Sequence, residues 1–181
     1  NRVCVVSDIV ADKRLSVRAE VYGFESRKVW ECEAEVELKA ETVVDVFTIP
    51  FDAPDQSNSL NNRTIRRLPH FIKLRLLESG REIASTFYWR SNSVYSETRR
   101  EEAVGPCAGG FEELVNLPRT TLKTERTEKG VRVTNIGDKL AFFVRIKAVK
   151  DGRLVVPVHY SNNYLSLLPG ETEDVAIEDM P

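Results

Sequence analysis

The sequence predicts an all-β chain folded as two tandem β-sandwiches, and three observations carry that prediction. Apolar and polar residues alternate with period two through one short run after another, with no sustained helical period. Turn formers such as Ser79-Gly80, Lys150-Asp151-Gly152 and Pro169-Gly170 separate the runs. The pattern is broken once, between Ser91 and Pro118, by a charged and glycine-rich tract with the composition of a connection between domains. Short alternating strands at this spacing indicate sandwiches of immunoglobulin-like type, one over residues 1–96 and a smaller one over 119–181, joined by a linker over 97–118.

In the first sandwich, Leu15, Val17, Ala19 and Val21 alternate with Ser16, Arg18, Glu20 and Tyr22. The next run is stricter: Trp30, Cys32, Ala34, Val36 and Leu38 against Glu31, Glu33, Glu35 and Glu37, so one face belongs to the core and the other to water. The glutamate row does not make a calcium site, because same-face residues of a strand stand about 6–7 Å apart, too spread for a compact cage. Val43 to Phe51 continues as a strand, Phe71 to Leu76 alternates, Ser79-Gly80 turns the chain and Ile83 to Arg90 returns it. Trp30 and Trp89 are expected in the core. In the linker, Phe111, Leu114 and Val115 have helical spacing, which predicts a helical turn or two that docks the connection before Pro118 ends it.

The second sandwich reads as strands over 121–126, 131–135, 140–149, 154–160, 164–168 and 172–177. In the third of these Phe142, Val144, Ile146 and Ala148 share a face opposite Phe143, Arg145 and Lys147. Leu154, Val156, Val158 and Tyr160 alternate with Val155, Pro157 and His159, and Pro157 argues for an edge position because proline cannot donate to a ladder. Ser161-Asn162-Asn163 then turns the chain, and Pro169-Gly170 suits a type II turn.

Composition narrows the function. Hydrophobic residues make up 41% of the 181, enough for a core in each half, and the 30% that are charged nearly cancel to a net charge of -2. No summed field therefore favours nucleic acid or an anionic membrane surface. No apolar run approaches the roughly 20 residues that span a bilayer. The chain opens at Asn1 directly before the apolar run Val3 to Val6, and is read as a piece of a longer protein. Cys4, Cys32 and Cys107 are odd in number, so an oxidised framework is not expected; Cys4 and Cys32 read as small buried hydrophobes, with a disulfide between them the alternative. His70 and His159 lie far apart without a cysteine or histidine at ligand spacing, so neither a metal nor a cofactor is expected. No carboxylate pair is placed for acid–base work: Glu112 and Glu113 are adjacent and point apart, and Glu31 to Glu37 lie on a solvated face.

The tract Leu154 to Glu171, LVVPVHYSNNYLSLLPGE, resembles the motif P-V-x-[WY]-S-[DN]-N-Y-x-[ST]-L-x-P-G-E of the last β-sandwich in glycoside hydrolase family 2 enzymes of the exo-β-D-glucosaminidase and β-mannosidase kind. Other tracts follow in the family's order. Arg2 to Ser7 resembles the first strand after the catalytic barrel, Ser85 to Ser91 the N-F-Y-W-L-S strand, Phe111 to Pro118 the L-N-x-L-P connection, and Ala141 to Arg145 the A-F-F-V-R strand. Asn162 stands where an aspartate is common, and Arg90 where the family has an apolar residue.

This resemblance implies a retaining exo-acting β-glycosidase whose two catalytic glutamates lie on a barrel outside this chain. The chain itself is then a non-catalytic accessory whose partner is that barrel. The alternatives are a carbohydrate-binding module, with Tyr160, Asn162, Asn163 and Tyr164 as the contact residues, or an independent adhesion module. Against the sugar role, Tyr160 falls on the inward register, and two asparagines in a turn are explained by their tolerance of left-handed backbone. The resemblance further implies that the second sandwich lacks its last strand here and carries an open edge.

Overall fold

The alternating runs of the first half pair into an antiparallel sheet. The computed structural model describes residues 1–8, 12–50, 69–90 and 111–179. Cys107, Asn62-Arg63-Thr64, a match to the glycosylation pattern, and the linker as far as Gly110 lie outside the described residues. The chain divides into two compact units, Asn1–Asn116 and Leu117–Pro181.

The first unit contains β1 (Arg2–Val6), β2 (Lys13–Tyr22), β3 (Lys28–Leu38), β4 (Val43–Thr48), β5 (His70–Glu78) and β6 (Arg81–Arg90). One sheet runs in the order β3-β2-β5-β6, and the ribbon β1-β4 packs over it. The core lies between them: Leu15, Val17, Ala19, Val21, Val36, Leu38 and Ile72 from the sheet meet Val3 from the ribbon and Ile49 just beyond it. Trp30 packs against this cluster and meets Phe47 edge-on at 6.2 Å. All four glutamates of β3 are exposed, as the alternation requires.

Two expectations for this unit are corrected. Cys4 is exposed and free, because Val3 and Val5 take the inward positions of β1 and leave Cys4 and Val6 outward; Cys32 is half-buried and also free, so no disulfide joins them. Trp89 is 39% exposed. Its cross-strand partner Phe71, on the same side of the sheet, is 0% exposed, and Tyr88 on the other side is 50% exposed, so the face does not decide. β6 is the edge strand, and residues there are less covered than their partners on β5.

The outward face is laced by charge. Buried Glu20 takes up Lys28 at 3.2 Å and Arg75, and Arg75 also reaches Glu82 at 3.1 Å, so one chain of charges crosses all four strands. Lys28 also bonds Glu31, which relieves the direct opposition of Glu20 and Glu31 across β2 and β3. Glu33 accepts from the Ser16 hydroxyl at 2.6 Å and from Arg18 at 2.8 Å, and these two bonds hold its carboxyl below the usual range.

A short 3-10 turn (Glu112–Asn116) stands where the helical turn was predicted, but Val115 is exposed rather than docked. The second unit then contains β7 (Leu122–Arg126), β8 (Gly130–Asn135), β9 (Ala141–Val144), β10 (Val149–Lys150), β11 (Arg153–Leu154), β12 (Val158–Tyr160), β13 (Leu165–Leu167) and β14 (Thr172–Asp179). The main sheet is β12-β14-β8-β7, with β12 at its edge as Pro157 predicts; β9 pairs with β13 and β10 with β11. Val133 and Val175 from the sheet meet Ala141, Leu165 and Leu167 in the core.

Two long predicted strands are broken here. The run over 140–149 stops as a strand at Val144 and resumes at Val149, and the run over 154–160 splits around Pro157. Leu154 and Val156, expected inward, are exposed: β11 folds back on β10 through a two-residue turn, Asp151 and Gly152, both at positive φ, and leaves the core face.

Asn135 ties this unit together. It is 0% exposed, and its side chain fills its hydrogen-bonding capacity: Oδ1 accepts from the Thr120 hydroxyl at 2.8 Å and the Gly137 N–H at 3.2 Å, while Nδ2 donates to the carbonyls of Lys139 at 2.7 Å and Leu167 at 2.9 Å. Its backbone N–H donates to Glu171 and its carbonyl accepts from Gly170, which anchors the Pro169-Gly170 turn.

Two outcomes are expected. Asn135→Ala leaves several buried groups without partners and should destabilise the second unit by about 2–4 kcal/mol in urea unfolding, and Asn135→Asp should be comparably damaging because it cannot donate to both carbonyls. His70 is buried with Nδ1 unpartnered among the described residues, and burial, with Arg90 adding repulsion, lowers its pKa from 6.5. The unfolded chain therefore takes up the proton first, so stability is whole above pH 6.5 and declines as the pH falls below it. His70→Phe should flatten the fall in Tm between about pH 7.5 and 5.5 that wild type shows; an unchanged slope would contradict this assignment.

Candidate functional site

The tract Ser161-Asn162-Asn163-Tyr164 builds one corner of the second unit by side-chain bonding. Asn163 Oδ1 accepts from the N–H of Ile146 and of Tyr164, both at 2.8 Å, and its Nδ2 donates to the Ile146 carbonyl at 3.1 Å. The Tyr160 hydroxyl accepts from the Ala148 N–H at 2.7 Å, while its ring packs on the core. Residues 145–148 lie outside the strands, and two side chains bond both backbone groups of Ile146 and the N–H of Ala148, whose carbonyl accepts from the Val155 N–H at 3.0 Å. Asn162 accepts from the Asn163 N–H at 2.9 Å and donates to Glu173 at 3.0 Å.

The same corner holds two aromatic residues at positive φ, Phe143 at 57° and Tyr164 at 55°. Bulky side chains rarely adopt this backbone, and it persists where the surroundings hold it. For Tyr164 the hold is Asn163. For Phe143 it is a bulge: Leu165 pairs with Val144 but Leu167 with Ala141, so β9 carries one more residue than β13 across that stretch. Bulges re-aim side chains. Here Phe143 turns outward, its ring centroid 5.1 Å from that of Tyr164 with the planes inclined by 45°, and the Arg145 guanidinium lies 6.0 Å from the Tyr164 centroid. Both rings are 47% exposed.

The four residues singled out from sequence are therefore close in space but differ in use. Tyr160 and Asn163 are engaged with backbone, Asn162 with Asn163 and Glu173, and Tyr164 alone offers an exposed ring. Sequence reasoning passed over Phe143 and Arg145 as site residues. The available signal was the Phe142-Phe143 pair in a period-two run, which must send one ring outward.

The first unit has the fold of a known family. Residues 2–93 match the model of the mannosidase Ig/CBM-like domain. The chain belongs to that family. Residues 107–180 match the exo-β-D-glucosaminidase Ig-fold domain, so a mannosidase-type and a glucosaminidase-type Ig-like domain follow one another. Among solved structures, the exo-chitosanase of Amycolatopsis orientalis matches with a TM-score of 0.70 at 20% identity, over 97% of this chain and 22% of that one. A β-D-mannosidase from Dictyoglomus thermophilum matches with a TM-score of 0.54 at 13% identity, over 99% of this chain and 18% of that one. At these identities the likeness concerns the fold, and the chain spans less than a quarter of each neighbour. A search of curated protein sequences finds no match.

The pinning role has a direct test. Asn163→Ala should cost about 1–3 kcal/mol and speed amide exchange at Ile146, while Tyr160→Phe should act chiefly at Ala148 and cost about 1 kcal/mol. Unchanged exchange at both amides would contradict the assignment.

Proposed function

We propose that this chain is the non-catalytic, tandem Ig-like portion of a family 2 glycoside hydrolase of exo-β-D-glucosaminidase or β-mannosidase type, and that it packs on and supports that enzyme's catalytic barrel. The observation that carries the reading is the order of the family matches, mannosidase-type at 2–93 and glucosaminidase-type at 107–180. The domain limits 1–96 and 119–181, with the connection at 97–118, belong to the same reading.

Carboxylate chemistry supports the non-catalytic part. A general acid must keep its proton near neutral pH, which needs a raised pKa. Glu33 is drawn the other way by Ser16 and Arg18, and Asp174 by Arg132, whose two nitrogens donate to it at 2.7 Å each. Glu20 is buried but lies between Lys28 and Arg75. Glu33 and Asp174 are thus shifted away from a general acid, and all three carboxylates tie strands together.

The exposed pair Phe143 and Tyr164 favours a second reading, contact with carbohydrate. Of Tyr160, Asn162, Asn163 and Tyr164, the ring of Tyr164 would make that contact, with Asn162 as the neighbouring amide. The inclined rings offer a sugar one face at a time rather than a flat platform.

Incubation with aryl β-glucosaminide and aryl β-mannoside should give no turnover; turnover lost on a single Glu→Gln change would overturn the non-catalytic assignment. Removing this chain from the full polypeptide should lower the melting temperature of the remaining barrel, and an unchanged value would remove the supporting role.

A further inference from the structure

We propose that residues 143–156 form the surface by which the second unit docks on an acidic protein face of its own enzyme. The inference rests on the accessory reading above and gives it a location. Arg145, Lys147, Lys150 and Arg153 are all exposed, and among the described residues none of them forms an ion pair. Elsewhere in the unit Lys123 is paired with Glu125 and Arg132 with Asp174, while Arg119, Arg126 and Lys129 are also without an ion pair among the described residues; the segment is set apart by carrying four such cations within nine residues. Asp151 is the one acid within the segment.

The β10-β11 hairpin is arranged against its own stability. Lys150 stands directly across from Arg153, and like charges in that position destabilise a ribbon. Val149 stands across from Leu154, and both are at least half exposed, with Val156 more so. Successive rungs face opposite sides of the ribbon, so the hairpin presents a cationic pair on one face and an apolar pair on the other, both exposed, which is the composition of a hairpin that is covered in its assembly. Phe143, Arg145 and Tyr164 extend this surface upstream, and aromatic and arginine side chains are the types enriched at protein interfaces.

Geometry and charge choose among partners. The six residue steps from Phe143 to Val149 span at most roughly 20 Å, less where the bulge at Phe143 turns the chain, which is still the scale of a protein contact rather than of one sugar ring. An amino sugar in its ammonium form would be repelled by four unpaired cations. A carboxylate-rich protein face supplies the complementary charge.

Hydrogen exchange tests this in the full polypeptide against the isolated 181-residue chain. Amides of 143–156 should exchange at least about tenfold more slowly in the full polypeptide, on the scale by which covering a surface suppresses local opening. The charge reversal R145E/K147E/K150E/R153E should remove most of that protection, and the milder pair R145A/Y164A part of it, should the fourfold variant fold poorly. Protection found only elsewhere in the chain would overturn this location and leave the accessory reading standing. Protection nowhere would overturn both. If polygalacturonate alone protects 143–156 in the isolated chain as strongly as the full polypeptide does, the partner is an acidic glycan and the proposal fails.

Discussion

Asn135 is the constraint on which the second unit depends. A buried amide is costly unless each of its donors and acceptors is met, and here each is, by four residues from three separate places: Thr120 at the entry to the unit, Gly137 and Lys139 after β8, and Leu167 in β13. Since β13 belongs to the small sheet and β8 to the large one, the same side chain fixes the distance between the layers. The hydrophobic cluster between them is small, five buried residues with partly buried neighbours. A polar joint with defined directions supplies the register that so few apolar contacts leave loose.

The corner formed by Asn163 and Tyr160 extends that logic. Once the bulge at Phe143 has turned the chain, residues 145–147 no longer run alongside a strand, and their backbone groups need other partners. Asn163 serves both the N–H and the carbonyl of Ile146, and Tyr160 serves the N–H of Ala148. The chain is thereby freed to carry β10 and β11 out as a hairpin. Surface and scaffold are coupled, because the residues that look like ligand contacts are the ones that hold the exposed residues in position.

The first unit is built differently. Its core is larger and continuous, and its outward face is organised by cross-strand charges rather than by a buried amide. Exposed ion pairs of this kind contribute little singly, but Glu20 is buried and cannot be left alone. Lys28 and Arg75 therefore fix the pairing of β3, β2 and β5 at that level.

By itself the sequence determined the all-β class, the succession of strands in the first unit, the inward face of β2 and β3, and the edge position of the strand after Pro157, because side-chain parity and proline's missing donor are local properties. The family resemblance was legible in the same local tracts. What only the tertiary structure decided was where parity stops holding. The bulge at Phe143 and the hairpin after Lys150 interrupt runs that alternate without a break in sequence, and they turn Leu154 and Val156 outward. Cys4 was misplaced because alternation gives two faces and the packing of the ribbon decides which one is covered, and Trp89 because its strand turned out to be the edge of the sheet. The candidate surface was half legible for the same cause. Tyr164 stood out in its motif, whereas Phe143 and Arg145 join it through a backbone φ that follows from how β9 pairs with β13, a contact between residues distant in the chain.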